Sequence, residues 1–165
     1  MSIDQWHYLL RGRAGAAEKL TAATIVVDPV NSISVTGFVV VPDIWQCPAG
    51  CSFSASSGGF DSNSYEVGTT WDLMEASGAV FLPAGGRRDR KSFSVGYQGT
   101  SATYWTSSNN NGAWRAGSSS TTVYDDYDAH YVAIHITSET VQPSTGGCIE
   151  KSTGLTVRLV RSATP

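Results

Sequence analysis

Ile3, Trp6, Leu9 and Leu10 recur at helical spacing, so the chain opens with a short amphipathic helix that Gly12 and Gly15 bring to an end. Ser2 and Gln5 stand at its start in capping-box relation, each side chain able to accept from the other's backbone N–H. The pattern then changes period. ATIVVD (23–28) and ISVTGFVVVP (33–42) are β-branched runs separated by DPVNS, whose turn chemistry predicts two strands of a hairpin. From Pro48 to Thr70 the residues are mostly Gly, Ser, Asn and Asp, with Phe53, Phe60 and Tyr65 spaced among them; these anchors predict a packed irregular loop rather than a linker. Thr69 stands as N-cap of a second helix, WDLMEAS, closed by Gly78. AVFLP follows as a short strand expected to be buried on both faces.

FSVGYQG and ATYWTSS read as two further short strands or loop segments. HYVAIHI alternates cleanly, with Val132, Ile134 and Ile136 on one face and Tyr131, Ala133 and His135 on the other. LTVRLVR does the same, setting Leu155, Val157, Leu159 and Arg161 against Thr156, Arg158 and Val160, and predicts a closing strand. The pattern is that of an α+β fold with two short helices, several strands and close to half the chain in loops.

A chain of 165 residues suits one domain, 1–165, with a single substantial core. Only 15% of it is charged, below the roughly 25% of an average globular protein, and the net charge of −3 leaves no field to gather phosphates. Nucleic acid is therefore not an expected partner. The basic cluster Arg87, Arg88, Arg90 and Lys91 reads as a solvated loop or a local carboxylate contact. No run approaches the ~20 apolar residues of a membrane helix, so no membrane insertion is expected, and MSIDQWHYLL lacks the pattern of a signal peptide. A chain that begins within a working helix has the look of a module excised from a longer protein. Cys47 and Cys51 are open to packing as free thiols or to closing a small loop by disulfide, with Cys148 left over. The CxxxC spacing has no second pair, and His7, His130 and His135 add no ligand pattern, so neither a metal nor a cofactor is expected.

One stretch dominates the functional reading. Residues 104–128, YWTSSNNNGAWRAGSSSTTVYDDYD, set two Trp and three Tyr in a polar run of Ser, Asn, Thr, Gly and Asp. Tyr and Trp give large contact area with few rotors to freeze, and Ser, Gly and Asn adapt their hydrogen bonds, which is the composition of antibody loops. Long irregular loops in compact domains usually carry function. Candidate ligand-binding residues are Ser107, Asn109, Asn110, Asn111, Trp114, Arg115, Ser119, Tyr124, Asp125, Asp126 and Tyr127, with Tyr97, Gln98 and His130 beside them. Tyr104 and Trp105 adjoin a strand and are expected in or next to the core. Candidate carboxylates for catalysis crowd at Asp125, Asp126 and Asp128, with His130 close in sequence. Neighbours in one loop rarely reach the opposed geometry a glycosidase needs, so no enzyme activity is expected.

DQWHYLLRGR, TGFVVVPDIWQCPAG, WDLMEASGAVFLPAGGRR, ATYWTSS and TGLTVRLVR together resemble the Fibrobacter succinogenes major paralogous domain of Bacteroidetes surface proteins, a C-type-lectin-like fold. The resemblance runs through nearly the whole chain, and its specific part is WDLMEASGAVFLPAGGRR. It implies two helices and a twisted, mostly antiparallel sheet carrying long irregular loops. It also implies a binding scaffold at the cell surface or on a virion, with a protein or glycan on another cell, host or virion as partner. Related members are diversified by retroelements that mutate template adenines, turning Asn codons toward Tyr, Ser, Asp, His, Thr and Gly; residues 104–128 have a similar composition. Calcium-dependent lectins carry an acidic or amide residue beside Pro and a Trp-Asn-Asp strand. This chain has only Gln142, Pro143 and Ser144, and Trp105 in YWTSSN, so no calcium site carries over. Formylglycine-generating enzymes share the broader fold and use a cysteine pair, but Cys47 and Cys51 lack a later partner motif. The alternatives to a binding module are an assembly module of an adhesin or pilus and a glycan-processing enzyme.

Overall fold

The computed structural model describes residues 1–55, 58–109, 128–137 and 140–157. The predicted capping box is present: Ser2 N donates to Gln5 Oε1 (2.8 Å) and Gln5 N to Ser2 Oγ (3.2 Å), starting α1 (Ile3–His7). The helix continues over Tyr8–Gly12 as a π-turn, in which Arg13 N reaches back five residues to Tyr8 O. Trp6 and Leu10 are its buried residues, on the face the spacing predicts.

β1 (Leu20–Asp28) and β2 (Ile33–Val40) pair antiparallel as the predicted hairpin. Asp28 forms the turn, its carboxylate accepting from Val30 N, Asn31 N and Asn31 Nδ2. β3 (Ser64–Glu66) adds in parallel beside β1, and β4 (Val80–Pro83) antiparallel beside β2, giving the order β3-β1-β2-β4. β3 was not anticipated because three residues within a polar loop carry no periodicity.

Period-2 alternation divides the core. Leu20, Ala22, Phe38, Val40 and Leu82 face one way and pack with Trp6, Leu10, Tyr104, Val132 and Ile134. Ala23, Ile25, Val39 and Val41 face the other way and pack with Tyr65, Trp71 and Met74. The central sheet thus lies between α1 with a second sheet on one side and α2 (Thr70–Ala76) with the irregular loop on the other. β4 carries Leu82 into one cluster and Phe81 against the other, but as the edge strand it leaves Val80 40% exposed, so the expectation of burial along both faces holds only in part.

The loop from 48 is packed, as its aromatics predict. Tyr65 is buried, Phe53 meets Trp45 edge-on and Phe60 meets Phe38. Its anchor is Asn63, buried beside β1. Asn63 Oδ1 accepts from Ser54 N at 2.7 Å, and its Nδ2 donates to Thr21 Oγ1, Ala22 O and Ser54 O. Burial, with the nearby Cys47 and Cys51, pushes the Tyr65 hydroxyl well above its ordinary range, so it stays a donor, to Ser52 O at 2.8 Å.

α2 begins after Thr69, yet Thr69 Oγ1 makes no cap bond and instead donates back to Glu66 O; Asp72 Oδ1 accepts from Gly68 N across the first turn. Its end is a Schellman motif, with Ala79 N on Met74 O, Gly78 N on Glu75 O, and Gly78 at φ +91°.

The second sheet holds β7 (Ser101–Asn109), β8 (Asp128–Thr137) and β9 (Thr140–Glu150), all antiparallel in that order. β8 is the predicted HYVAIHI strand, with Val132 and Ile134 fully buried. Pro143, Gly146 and Gly147 hid β9 from a pattern reading. It is the edge strand here, where Pro is tolerated, and the register against β8 slips by one residue beside Gly146. Gly147 lies under the Tyr131 ring, where an added Cβ would come within 2.7 Å. A two-stranded hairpin, β5 (Arg87–Arg88) and β6 (Val95–Gly96), completes the described strands. Thr156 bridges to Tyr104 in parallel, so the predicted closing strand starts alongside β7; its remainder lies outside the described residues. The molecule is α+β and mostly sheet, and its described residues form three open sheets rather than the single one expected. None of the helices among the described residues is long and apolar enough to cross a membrane.

Candidate functional site

β7 and β8 deliver the two ends of the 110–127 segment. They pair regularly from Ser101↔His135 to Trp105↔Tyr131, and pairing resumes at Asn109↔Ala129 with two extra residues on β7. This bulge is tied down at several points. Thr106 Oγ1 donates to His130 O (3.1 Å), Ser107 N to Met1 O (2.9 Å), and Ser108 Oγ accepts from Ile3 N (2.9 Å) at the start of α1. Ser and Thr residues that look like paratope residues in sequence thus serve in part as backbone clips.

Among the candidates, Ser107 is exposed with its amide used, Asn109 closes the ladder with Ala129, and His130 is half-buried on β8. Asn110, Asn111, Trp114, Arg115, Ser119, Tyr124, Asp125, Asp126 and Tyr127 lie outside the described residues. Tyr104 is core, donating to Pro83 O at 2.9 Å, and Trp105 is half-buried, as expected of residues beside a strand.

Tyr97 and Gln98 precede β7, whereas Ser107 and Asn109 end it; at about 3.3 Å per residue the two groups stand roughly 20 Å apart. The structure therefore brings Ser107, Asn109 and His130 together and leaves Tyr97 and Gln98 at the other end of the strand. Tyr97 is 62% exposed and held at φ +62°, with the Arg87 guanidinium 5.1 Å from its ring centre; Arg88 covers Phe93 in the same way at 5.8 Å. The basic cluster is thus more than a solvated loop. Arg90 ion-pairs with Glu150, the residue opposite Asp128, and so fastens the tip of the β5–β6 hairpin to the end of the sheet where 110–127 is attached. Asp89 shapes that tip. Its carboxyl is held below the ordinary range by N–H donation from Ser92 and Lys91, then by the Ser92 hydroxyl.

Two partnerships were invisible without β9. Cys148 lies opposite His130 with Sγ 3.2 Å from Nδ1, and Glu150 receives Arg90. No disulfide forms between Cys47 and Cys51, and Cys51 donates to Thr70 O at 3.5 Å. Among the described residues no three His, Cys, Asp or Glu side chains group to hold a metal.

No family model, curated protein or solved structure matches this chain.

Proposed function

We propose that the chain is a non-enzymatic ligand-binding module of a bacterial surface or phage protein, with a C-type-lectin-like fold of the Fibrobacter major paralogous type. Its binding face is carried by the 107–128 segment together with His130. The observation that supports this reading most is the pairing of Asn109 with Ala129. The flanking residues Asn109 and Ala129 are thus held side by side, on a sheet whose bulge is clipped to α1 and whose edge is clipped to the β5–β6 hairpin. A segment anchored so firmly at both ends has part of its ordering entropy already met by the frame, which favours tight recognition. Its composition of Trp, Tyr and Arg among Ser, Gly and Asn suits a protein or glycan surface, and its amino-acid makeup is similar to what retroelement diversification yields.

The test is a glycan and protein array with the purified chain, repeated with Trp114, Tyr124 and Tyr127 all changed to Ala. Loss of the array signal at an unchanged melting temperature is expected. A collapse in stability would assign these residues to packing and support the assembly-module reading instead.

A further inference from the structure

The β5–β6 ribbon presents an exposed surface of its own. Phe93 and Tyr97 flank β6, and both hold positive φ, +57° and +62°, shared among the described non-glycine residues only by Ser32. That conformation is costly for a bulky L residue, yet here it leaves two aromatic rings exposed, Phe93 by 68%, with exposed Val95 between them. Phe93 N donates to Asp89 O (3.1 Å), and Tyr97 O accepts from Thr100 N and Ser101 N (3.1 and 3.0 Å), so turns on both sides fix the backbone that carries the rings. Arg88 stacks on Phe93 and Arg87 on Tyr97. Arg87, Arg88 and Lys91 form no ion pair among the described residues, and the ribbon's own carboxylate, Asp89, is engaged by the Lys91 and Ser92 amides. The ribbon is thus a cationic, aromatic surface on a chain whose net charge is −3.

Its outer edge is open as well. Arg88 N donates to Gly154 O (2.8 Å) and Gly154 N to Arg88 O (3.1 Å), so both backbone groups of Arg88 point away from β6. In an antiparallel ladder the residue directly opposite then points its own N–H and C=O outward. That residue is Val95, and β6 has no second neighbour among the described strands. Beside it, Gly96 has open space where a Cβ would stand, with nothing within 4 Å. An outward donor and acceptor suit an extended backbone, the exposed Val95 suits an apolar side chain, and the stacked guanidinium groups suit carboxylates. We propose that the β5–β6 ribbon docks an acidic, extended peptide segment of a partner protein. The segment adds as a strand beside β6, exchanges hydrogen bonds with Val95, and sets carboxylates against Arg87 on one face and Arg88 on the other. An anionic polysaccharide shares the charge but has no backbone to complete the ladder. This surface lies outside the 107–128 segment and does not rest on that segment's role.

The probes are a short capped peptide alternating Glu and Val, its counterpart with Gln for Glu, and polygalacturonate. Each is titrated into the whole chain and followed by amide chemical shifts and hydrogen exchange. The acidic peptide is expected to move the resonances of 93–97, to slow exchange of the Val95 amide, and to bind at least about tenfold more tightly than the neutral one. Arg88→Glu reverses an exposed charge and leaves the backbone bonds to Gly154 in place. It should keep the melting temperature nearly unchanged and weaken the acidic peptide about tenfold or more. Val95→Pro removes the outward N–H at an edge, where Pro is tolerated, and should abolish binding. Changing Trp114, Tyr124 and Tyr127 to Ala should silence the array yet keep peptide binding, so this proposal and the recognition role of 107–128 fail separately. The proposal is overturned if the acidic peptide has no effect at ~2 mM, if the neutral peptide binds equally, or if the shifts fall away from 93–97. It is equally overturned if Val95 is already protected in the free chain, if either folded ribbon variant binds as well as the parent, if the triple-alanine chain loses the peptide, or if polygalacturonate alone moves 93–97.

Discussion

Replacing Asn63 by Ala removes the side chain that fastens the 48–70 loop to β1. Four bonds go: Ser54 N to Oδ1 at 2.7 Å, and Nδ2, its two protons shared among three acceptors, to Thr21 Oγ1, Ala22 O and Ser54 O at 2.9, 3.1 and 3.1 Å. Thr21 retains its bond to Ser54 O and Tyr65 its bond to Ser52 O, but Ser54 N loses its acceptor. At about 1 kcal/mol net for each of the three protons donated and about 1–3 for the stranded amide, the loss is about 4–6 kcal/mol. For a chain of this length that lowers Tm by ~10 °C or more. Asn63→Asp keeps the shape yet replaces the donor with an acceptor facing the Ala22 and Ser54 carbonyls, so it should lose at least as much at neutral pH. Thermal and urea unfolding followed by circular dichroism measure both. An alanine variant within ~2 °C of the parent, or an aspartate variant more stable than the alanine one, would refute the claim that this hydrogen-bond hub holds the loop.

Gly37→Ala places a Cβ 2.5 Å from Leu82 O and 2.6 Å from the Phe81 ring, so β2 and β4 must part. The expected cost is at or above the usual overpacking range of about 1–3 kcal/mol, with hydrogen-exchange protection lost first at Val80–Leu82. The Asp28 carboxyl is held below its ordinary value, most by donation from the Asn31 side chain, then by the Asn31 and Val30 amides. Its stabilising contribution is therefore present above the unfolded Asp value of about 3.9 and fades as pH falls through the lower folded value. An NMR titration should place the Asp28 midpoint below that of a free Asp, and Asn31→Ala should raise it.

The helix starts, the β1–β2 hairpin and β8 were legible because each is written in a local pattern: Ser2 with Gln5, Asp28 with Asn31 at the turn, and Val132 with Ile134 and Ile136. What escaped was set by tertiary contact. β9 contains Pro143 and a Gly pair that argue against a strand until Tyr131 is seen lying over Gly147. β4 is apolar throughout, and only its place at the sheet edge shows why Val80 is exposed. The Thr69 hydroxyl was a reasonable cap in sequence but is diverted to Glu66 O, leaving the first turn to Asp72. At the candidate site the composition of 104–128 could be read directly. The separation of Tyr97 and Gln98 from Ser107 and His130 could not, since it depends on the length of β7 between them. The Cys148–His130 and Arg90–Glu150 pairs likewise depend on the register of β9.

On the proposed reading, residues 110–127 serve recognition while the frame on either side of them supplies stability. Replacing that segment by a Gly/Ser chain of equal length tests it directly, because closure entropy depends mainly on length. A Tm within ~3 °C of the parent is expected, with the Asn109↔Ala129 pairing retained in hydrogen exchange and complete loss of the array signal. Global unfolding of the replaced chain, or an undiminished signal from a folded one, would contradict it.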